Sequence, residues 1–456
     1  METLEEISKM VEKSIDYLFT LYNNSGEVVY LFYYENSRLI LDTMHVIFQS
    51  TFYTFLFITI FLASFYFFMA LVTSFKRSKH FGKVEKGQEP YVTIQIPTYN
   101  ELAALNCAKA CLDFDYPKEK MQIIIGDDSK DKEVSKRIDA FAKKHPEIEV
   151  TRRGDNIGYK PGNLNHMLKY TKGEYIVIFD SDFLPGKDFL KKILAPFKTD
   201  DNISVVQARW NLYNFKQNLY SVLGGTITLL CHNVALPFIS WLGGNTYLCG
   251  SAEVIKKKDL VEAGGWKAGS LTEDVECSFR LIKRGKRLVY LDYLECDCEA
   301  PHTLIDLCKQ QMRWAYGVVS AFKLHFMGII KSRVPNLKDK ASVLIFASGY
   351  LFTSLVLLLA VSGVLSLMTD RPEAINWSLF LYETGRNVLL TSGFILTSVF
   401  ALTVSNKITQ VPRMIAASLS VGLAVIYYVN IGIAKALLGR EMDWFILKKK
   451  GNEVVE

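Results

Sequence analysis

The fold that this sequence predicts is an α/β domain with a largely parallel sheet, set between apolar membrane segments. Three observations carry the expectation. Residues 44–75 and 341–369 contain no charged side chain. Between them, short β-branched runs alternate with charged, helix-like stretches, as in an α/β sandwich. Carboxylate pairs follow directly on two of the predicted strands, where ligands of open parallel sheets bind.

Residues 1–43 form an N-terminal segment. Residues 1–20 are acidic and amphipathic, so no secretory leader is expected. Residues 44–75 exceed the roughly 20 residues needed to span a bilayer and read as a transmembrane helix. Lys76, Arg77, Lys79, Lys83 and Lys86 follow at once, which puts that end in the cytosol. Residues 88–320 are therefore expected as a cytosolic domain. Val92–Ile96, Gln122–Ile125, Tyr175–Phe179, Val205–Gln207 and Leu288–Leu291 read as its strands, and 101–111, 132–144 and 186–197 as helices.

Residues 341–369 and 387–406, both uncharged, read as two further membrane spans. They return the chain to the cytosol near Lys407 and Arg413. If 412–438 also crossed, Lys448 and Lys450 would lie outside, against the positive-inside rule. That segment is read as an interfacial or membrane helix, and 441–456 as a cytosolic tail.

Of the 456 residues, 50% are hydrophobic, more than a purely soluble domain usually carries. The net charge of +6 is scattered, with no basic helix or aromatic-studded basic stripe, so nucleic acid is not an expected partner. The eight cysteines show neither a disulfide framework nor paired zinc-ligand spacing, and read as reduced thiols.

Phe179-Asp180-Ser181-Asp182 follows a strand. If the extended geometry continues, Asp180 and Asp182 point to one side. Beside a diphosphate, two carboxylates suffice to hold Mg²⁺ or Mn²⁺; a solvated turn is the plainer alternative. Gly126-Asp127-Asp128-Ser129 also ends a strand and suits a nucleoside, or simply caps the next helix. At the end of the first strand stand Thr98, Tyr99 and Glu101, with Tyr99 placed to lie against a nucleobase or to begin a helix. Thr272-Glu273-Asp274 precedes an amphipathic run to Arg284. Asp274 there is the natural general base for an acceptor hydroxyl, or a first-turn acid favoured by the helix dipole. In Gln310-Gln311-Met312-Arg313-Trp314, Arg313 offers a fork for phosphate and Trp314 a face for a sugar ring; a juxtamembrane Arg-Trp pair is the alternative.

Taken in order, Asp127-Asp128, Asp180-x-Asp182, Thr272-Glu273-Asp274 and Gln310-x-x-Arg313-Trp314 resemble the motif series of the cellulose-synthase-like branch of the family-2 glycosyltransferases. Further similar stretches are Asn156–Leu164, Val206–Trp210 and Cys249–Ala252. Plant mannan and xyloglucan-backbone synthases are similar in texture around Val206–Trp210. The tail Trp444–Gly451 resembles the loop that closes over the nucleotide in that branch, with Leu447 and Lys448 where the branch has Thr before a basic residue.

The resemblance implies a GT-A fold and a multi-pass plasma-membrane protein with its catalytic domain in the cytosol. It implies inversion of a nucleotide-diphosphate sugar, GDP-mannose or UDP-glucose, into a β-linked glycan, with processive synthesis. A single transfer onto a polyprenyl phosphate or glycolipid is the alternative. Asp180 and Asp182 would hold Mg²⁺ or Mn²⁺. Thr98, Tyr99, Glu101, Asp127, Asp128, Lys160, Asp180 and Arg313 would meet the nucleotide. Asp274, with Glu273, would be catalytic. Trp314, Gln310, Cys249, Gly250 and Ser251 would line the acceptor site, and Trp444, Lys448 and Lys450 would belong to the gating loop.

Overall fold

The computed structural model describes residues 9, 10, 13, 26–75, 79–371, 376–445, 447 and 449, with side chains in the first long helix from residue 34 onward. The chain forms two compact units, residues 1–59 with 355–388 and residues 60–354 with 389–456. In the first, Arg371 Nη2 pairs with Asp42 Oδ2 at 2.7 Å and His45 Nδ1 lies 2.9 Å from Ser366 O.

The second unit holds a seven-stranded sheet in the order β3-β2-β1-β4-β6-β5-β7. The strands are β1 (Val92–Thr98), β2 (Met121–Asp127), β3 (Ile148–Thr151), β4 (Tyr175–Ile178), β5 (Ile203–Leu212), β6 (Glu253–Lys256) and β7 (Arg287–Cys298). Every residue of β1 and β4 is buried, as in a parallel sheet covered by helices on both faces. Register runs from Val92↔Met121 to Thr98↔Asp127, and Gln95 lies opposite Ile178 on β4. Parallel neighbours therefore deliver Tyr99, Asp128 and Asp180 to one edge.

β6 is antiparallel to both β4 and β5. Its sequence, Glu-Val-Ile-Lys, is too short and too charged at its ends to read as a strand. β4 stops at Ile178, and Phe183 N–H donates to Asp180 O at 3.1 Å. The extended geometry expected through Asp182 gives way to a turn. The 186–197 helix is likewise interrupted: Phe189–Ile193 is α-helical and Ala195–Lys198 is 3₁₀. Pro196, with no N–H to give back, accounts for the change.

Among the described residues, four helices are long and apolar enough to cross a membrane: Tyr34–Phe75, Leu219–Leu242, Leu337–Thr369 and Ile408–Leu438. Sequence reading had not singled out Leu219–Leu242. Most of it is buried within the fold, and a π turn at Cys231–Ala235 precedes Pro237, which stands in the first turn of Leu236–Leu242. The stretch read as one span over 387–406 is divided into Trp377–Thr391 and Gly393–Val404. A Cβ at Gly393 would stand 2.6 Å from Ala63 O, so only glycine permits that approach.

Val411–Leu438 touches the α/β body at both ends. Arg413 Nη1 donates to Lys216 O at 2.9 Å, and Lys323 Nζ donates to Leu437 O at 2.7 Å. Between them Gly432 presses on the Leu304–Lys331 helix, where a Cβ would lie 2.4 Å from Met312 O.

Candidate active site

The ends of β1, β2 and β4, the start of the Glu273–Lys283 helix and one face of Leu304–Lys331 enclose a cavity of about 270 Å³. At the end of β1, Thr98 Oγ1 donates to Glu101 O at 3.0 Å. Asn100 takes φ +55°, a left-handed conformation that Asn tolerates. Its Oδ1 accepts Lys130 N–H and Asp131 N–H at 2.9 and 3.0 Å, which ties this turn to the one after β2. Thr98, Tyr99 and Glu101 line the cavity.

At the end of β2, Gly126 lies against the Tyr159–Leu168 helix; a Cβ there would stand 2.1 Å from Asn163 Oδ1. Asn163 Nδ2 donates to Gly126 O at 2.7 Å. The two aspartates then part company. Asp127 is turned away from the cavity: its Oδ2 accepts from Ser135 Oγ at 2.7 Å and pairs with Arg152 Nε at 2.8 Å. Asp128 lines the cavity, with Oδ1 3.0 Å from Arg153 Nε. Its carboxyl is pushed up by burial and pulled back by the Arg153 guanidinium.

Although a turn carries them, Asp180 and Asp182 both face the cavity. Each meets a lysine. Lys160 Nζ is 2.8 Å from Asp180 Oδ1 and 3.1 Å from Glu273 Oε1, and it donates to Gly250 O at 2.6 Å. Burial alone would lower the Lys160 ammonium; Asp180 and Glu273 hold it well above its ordinary value. Lys449 Nζ is 2.7 Å from Asp182 Oδ1 and 3.2 Å from Glu101 Oε2. The other Asp182 oxygen accepts Glu299 N–H at 3.1 Å.

Asp274 follows Thr272, the N-cap of its helix. Its Oδ1 is buried with no hydrogen-bond partner among the described residues. Its carboxyl is pushed up to about 7, chiefly by burial and then by the Glu273 charge, with Lys160 opposing.

Gln310, Arg313 and Trp314 share the inward face of Leu304–Lys331. Arg313 Cζ lies 4.2 Å from the Trp444 ring centre, and Trp444 stacks on Tyr159 at 5.7 Å. Trp314 lies 6.4 Å from Trp210, which meets Phe183 edge-on at 5.1 Å.

Of the residues expected in the site, Thr98, Tyr99, Glu101, Asp128, Lys160, Asp180, Asp182, Cys249, Gly250, Glu273, Asp274, Gln310, Arg313, Trp314 and Trp444 line this one cavity. Asp127 and Ser251 do not. Ser251 is buried behind the wall, its Oγ accepting Asp180 N–H at 2.8 Å. Lys448 and Lys450 lie outside the described residues. Sequence reading missed the particular contact of Lys449, since nothing in a run of three lysines distinguishes the middle one. It also missed Arg153 as the partner of Asp128 and Tyr159 as the partner of Trp444.

Two carboxylates of separate residues facing one cavity fit a divalent cation that takes its remaining ligands from phosphate and water. Among the described residues no three His, Cys, Asp or Glu side chains form a group that could hold a metal ion by themselves.

A mostly parallel sheet with a carboxylate pair after its central strand, and a buried acid across the cleft, is the architecture of a GT-A-type transferase. The family described as "Glycosyltransferase like family 2" matches residues 90–317, half of the chain, and "Cellulose synthase" matches residues 249–450. This chain belongs to glycosyltransferase family 2. It is 30% identical over 268 residues to the probable glucomannan 4-beta-mannosyltransferase 7 of Oryza sativa subsp. japonica; the match covers 56% of this chain and 45% of that protein, less than half its length. Among solved structures, the mannosyltransferase PcManGT from Pyrobaculum calidifontis, in complex with GDP-Man and Mn²⁺, superposes with a TM-score of 0.59. That match covers 88% of this chain and 100% of the other at 17% identity, a likeness of fold.

Proposed function

We propose that this chain is an inverting hexosyltransferase of the membrane. It would pass a sugar from a nucleotide-diphosphate donor, GDP-mannose or UDP-glucose, to the end of a β-linked glycan, one unit after another. The observation that carries the reading is that Asp274, its carboxyl pushed up by burial to about 7, lines the same cavity as Asp180, Lys160 and Arg313. A carboxyl poised near neutral pH on a cavity wall can take the proton of an acceptor hydroxyl.

In this reading Asp274 takes that proton as the hydroxyl oxygen bonds to the anomeric carbon from the face opposite the diphosphate. The bond from that carbon to the phosphate oxygen breaks, and the diphosphate leaves with the electron pair. Lys160 and Arg313 carry positive charge to the side where negative charge develops. Tyr99 and Asp128 hold the nucleoside. Trp314 stacks on the acceptor ring and orients its hydroxyl, which converts a bimolecular encounter into an aligned one. Asp180 and Asp182 would hold Mg²⁺ or Mn²⁺, which supplies further positive charge at the diphosphate.

Two contacts of Val411–Leu438 with the α/β body, one at each end, support reading that helix as interfacial. The catalytic domain then lies on the cytosolic side, and the tail from 441 can reach the cavity, as Trp444 and Lys449 do. Transfer of one sugar to a lipid acceptor is the second reading. It is favoured over any soluble acceptor by the apolar Val411–Leu438 helix lying against the helix that carries Trp314.

The test is a panel of nucleotide sugars offered to detergent-purified protein with Mn²⁺ or Mg²⁺, reading released nucleotide diphosphate and product mass. A ladder of β-linked oligosaccharides is expected. A lone glycolipid product selects the second reading, and no release from any donor rejects both.

A further inference from the structure

Behind the cavity wall, one buried carboxylate grips the loop on which three charged groups of the site depend. Glu253, at the start of β6, is 1% exposed and makes no ion pair among the described residues. Its Oε2 accepts two consecutive backbone N–H groups, Gly250 at 2.9 Å and Cys249 at 3.1 Å. Gln207 on β5 reinforces the grip: its Oε1 accepts the same Cys249 N–H at 2.8 Å, and its Nε2 donates to Ser251 O at 2.9 Å. Neither Glu253 nor Gln207 lines the cavity.

The loop they hold touches the chemistry directly. Gly250 O accepts from Lys160 Nζ at 2.6 Å, and Ser251 Oγ accepts Asp180 N–H at 2.8 Å. Gly250, at φ +92°, brings its backbone so near the base that a Cβ would stand 3.2 Å from Asp274 Oδ2 and 3.3 Å from Lys160 Nζ. Burial and the nearby Asp274 push the Glu253 carboxyl well above its ordinary value, opposed by Lys160 and by the hydrogen bond from Gly250 N–H.

We propose that Glu253 is a positioning residue of the transfer reaction. By taking both N–H groups of the Cys249-Gly250 turn it sets Lys160, Asp180 and Asp274 relative to one another. This rests on the reading of the cavity as a sugar-transfer site. None of these contacts of Glu253 and Gln207 is to Tyr99 or Asp128, and Lys160 acts on charge that develops during transfer, so the loss of Glu253 bears on turnover more than on donor capture. Displacement of reacting groups by about 1 Å costs on the order of 10²-fold in rate.

The test is steady-state transfer by the full chain in detergent, normalised to folded protein, from whichever donor the wild type uses. Glu253→Ala is expected to lose about 10²-fold in kcat while the donor KM moves by less than about tenfold. Glu253→Gln, whose amide oxygen still accepts both N–H groups, is expected to recover at least about tenfold of that loss. A purely structural role lowers the melting temperature and leaves kcat per folded molecule unchanged. Wild-type kcat in Glu253→Ala, or no recovery in Glu253→Gln, overturns the proposal. If Glu253→Ala does not fold, Gly250→Ala probes the same turn from the cavity side; a similar loss is expected, and wild-type turnover overturns the proposal. A wild type that uses no nucleotide sugar fails the transfer reading and this inference with it. An active wild type with an unimpaired Glu253→Ala fails this inference alone.

Discussion

Lys449 Nζ lies 2.7 Å from Asp182 Oδ1, so a residue of the C-terminal tail neutralises one of the two carboxylates read as a cation site. Both side chains are largely buried, and Asp182 and Glu101 hold the ammonium well above its ordinary value against the opposing effect of burial. A divalent cation bound by Asp180 and Asp182 must compete with that ammonium. Lys449→Gln is therefore expected to tighten Mn²⁺ binding in the absence of donor by about tenfold, roughly 1.4 kcal/mol. Calorimetric titration of Mn²⁺ into donor-free protein measures it. Unchanged affinity would show that Lys449 and the cation do not share the site.

Asp274 gives a pH dependence with a definite sign. Its carboxyl is pushed up to about 7, mainly by burial. A base must be ionised to accept a proton, so the active fraction falls as pH drops below that value. The expected profile of kcat/KM rises about tenfold per pH unit up to about 7 and then levels. A flat profile between pH 5 and 8 contradicts the assignment of Asp274 as the base.

Trp314 and Trp210, 6.4 Å apart, form the aromatic side of the cavity. Removing the Trp314 ring should weaken acceptor capture by roughly 1–3 kcal/mol and leave donor hydrolysis by water comparatively intact. Product mass from Trp314→Ala is expected to shift to short oligosaccharides. A product ladder of wild-type length would exclude Trp314 from the acceptor path.

Gly126 tests the packing that brings Asp128 to the cavity. A methyl group there would stand 2.1 Å from Asn163 Oδ1, within a helix-to-sheet contact that has no room. Gly126→Ala should cost about 1–3 kcal/mol of stability. Thermal unfolding in detergent reads this directly, and a variant as stable as the parent would mean that the Tyr159–Leu168 helix can move aside.

The central strands were legible because their apolar runs are continuous and end on acidic turns: β1, β2 and β4 fall within two residues of expectation. β6 was not, since Glu253 and Lys256 hide a four-residue strand that only its neighbours β4 and β5 define. The cavity residues were visible as motifs, but which member of a pair faces inward was not. Asp127 and Asp128 are adjacent in sequence, and it is Arg152 on one side and Arg153 on the other that sends them to different places. Leu219–Leu242 is uncharged and yet largely interior, a difference that composition does not reveal.

The central claim is that Asp180, Asp182, Asp274 and Arg313 act together on one nucleotide sugar. The most direct measurement compares wild type with Asp274→Asn in the same detergent preparation, following both nucleotide-diphosphate binding and transfer of labelled sugar. Binding within a few-fold of wild type and transfer reduced by about 10²–10⁴-fold is the expected result. Near-normal transfer by Asp274→Asn would contradict it.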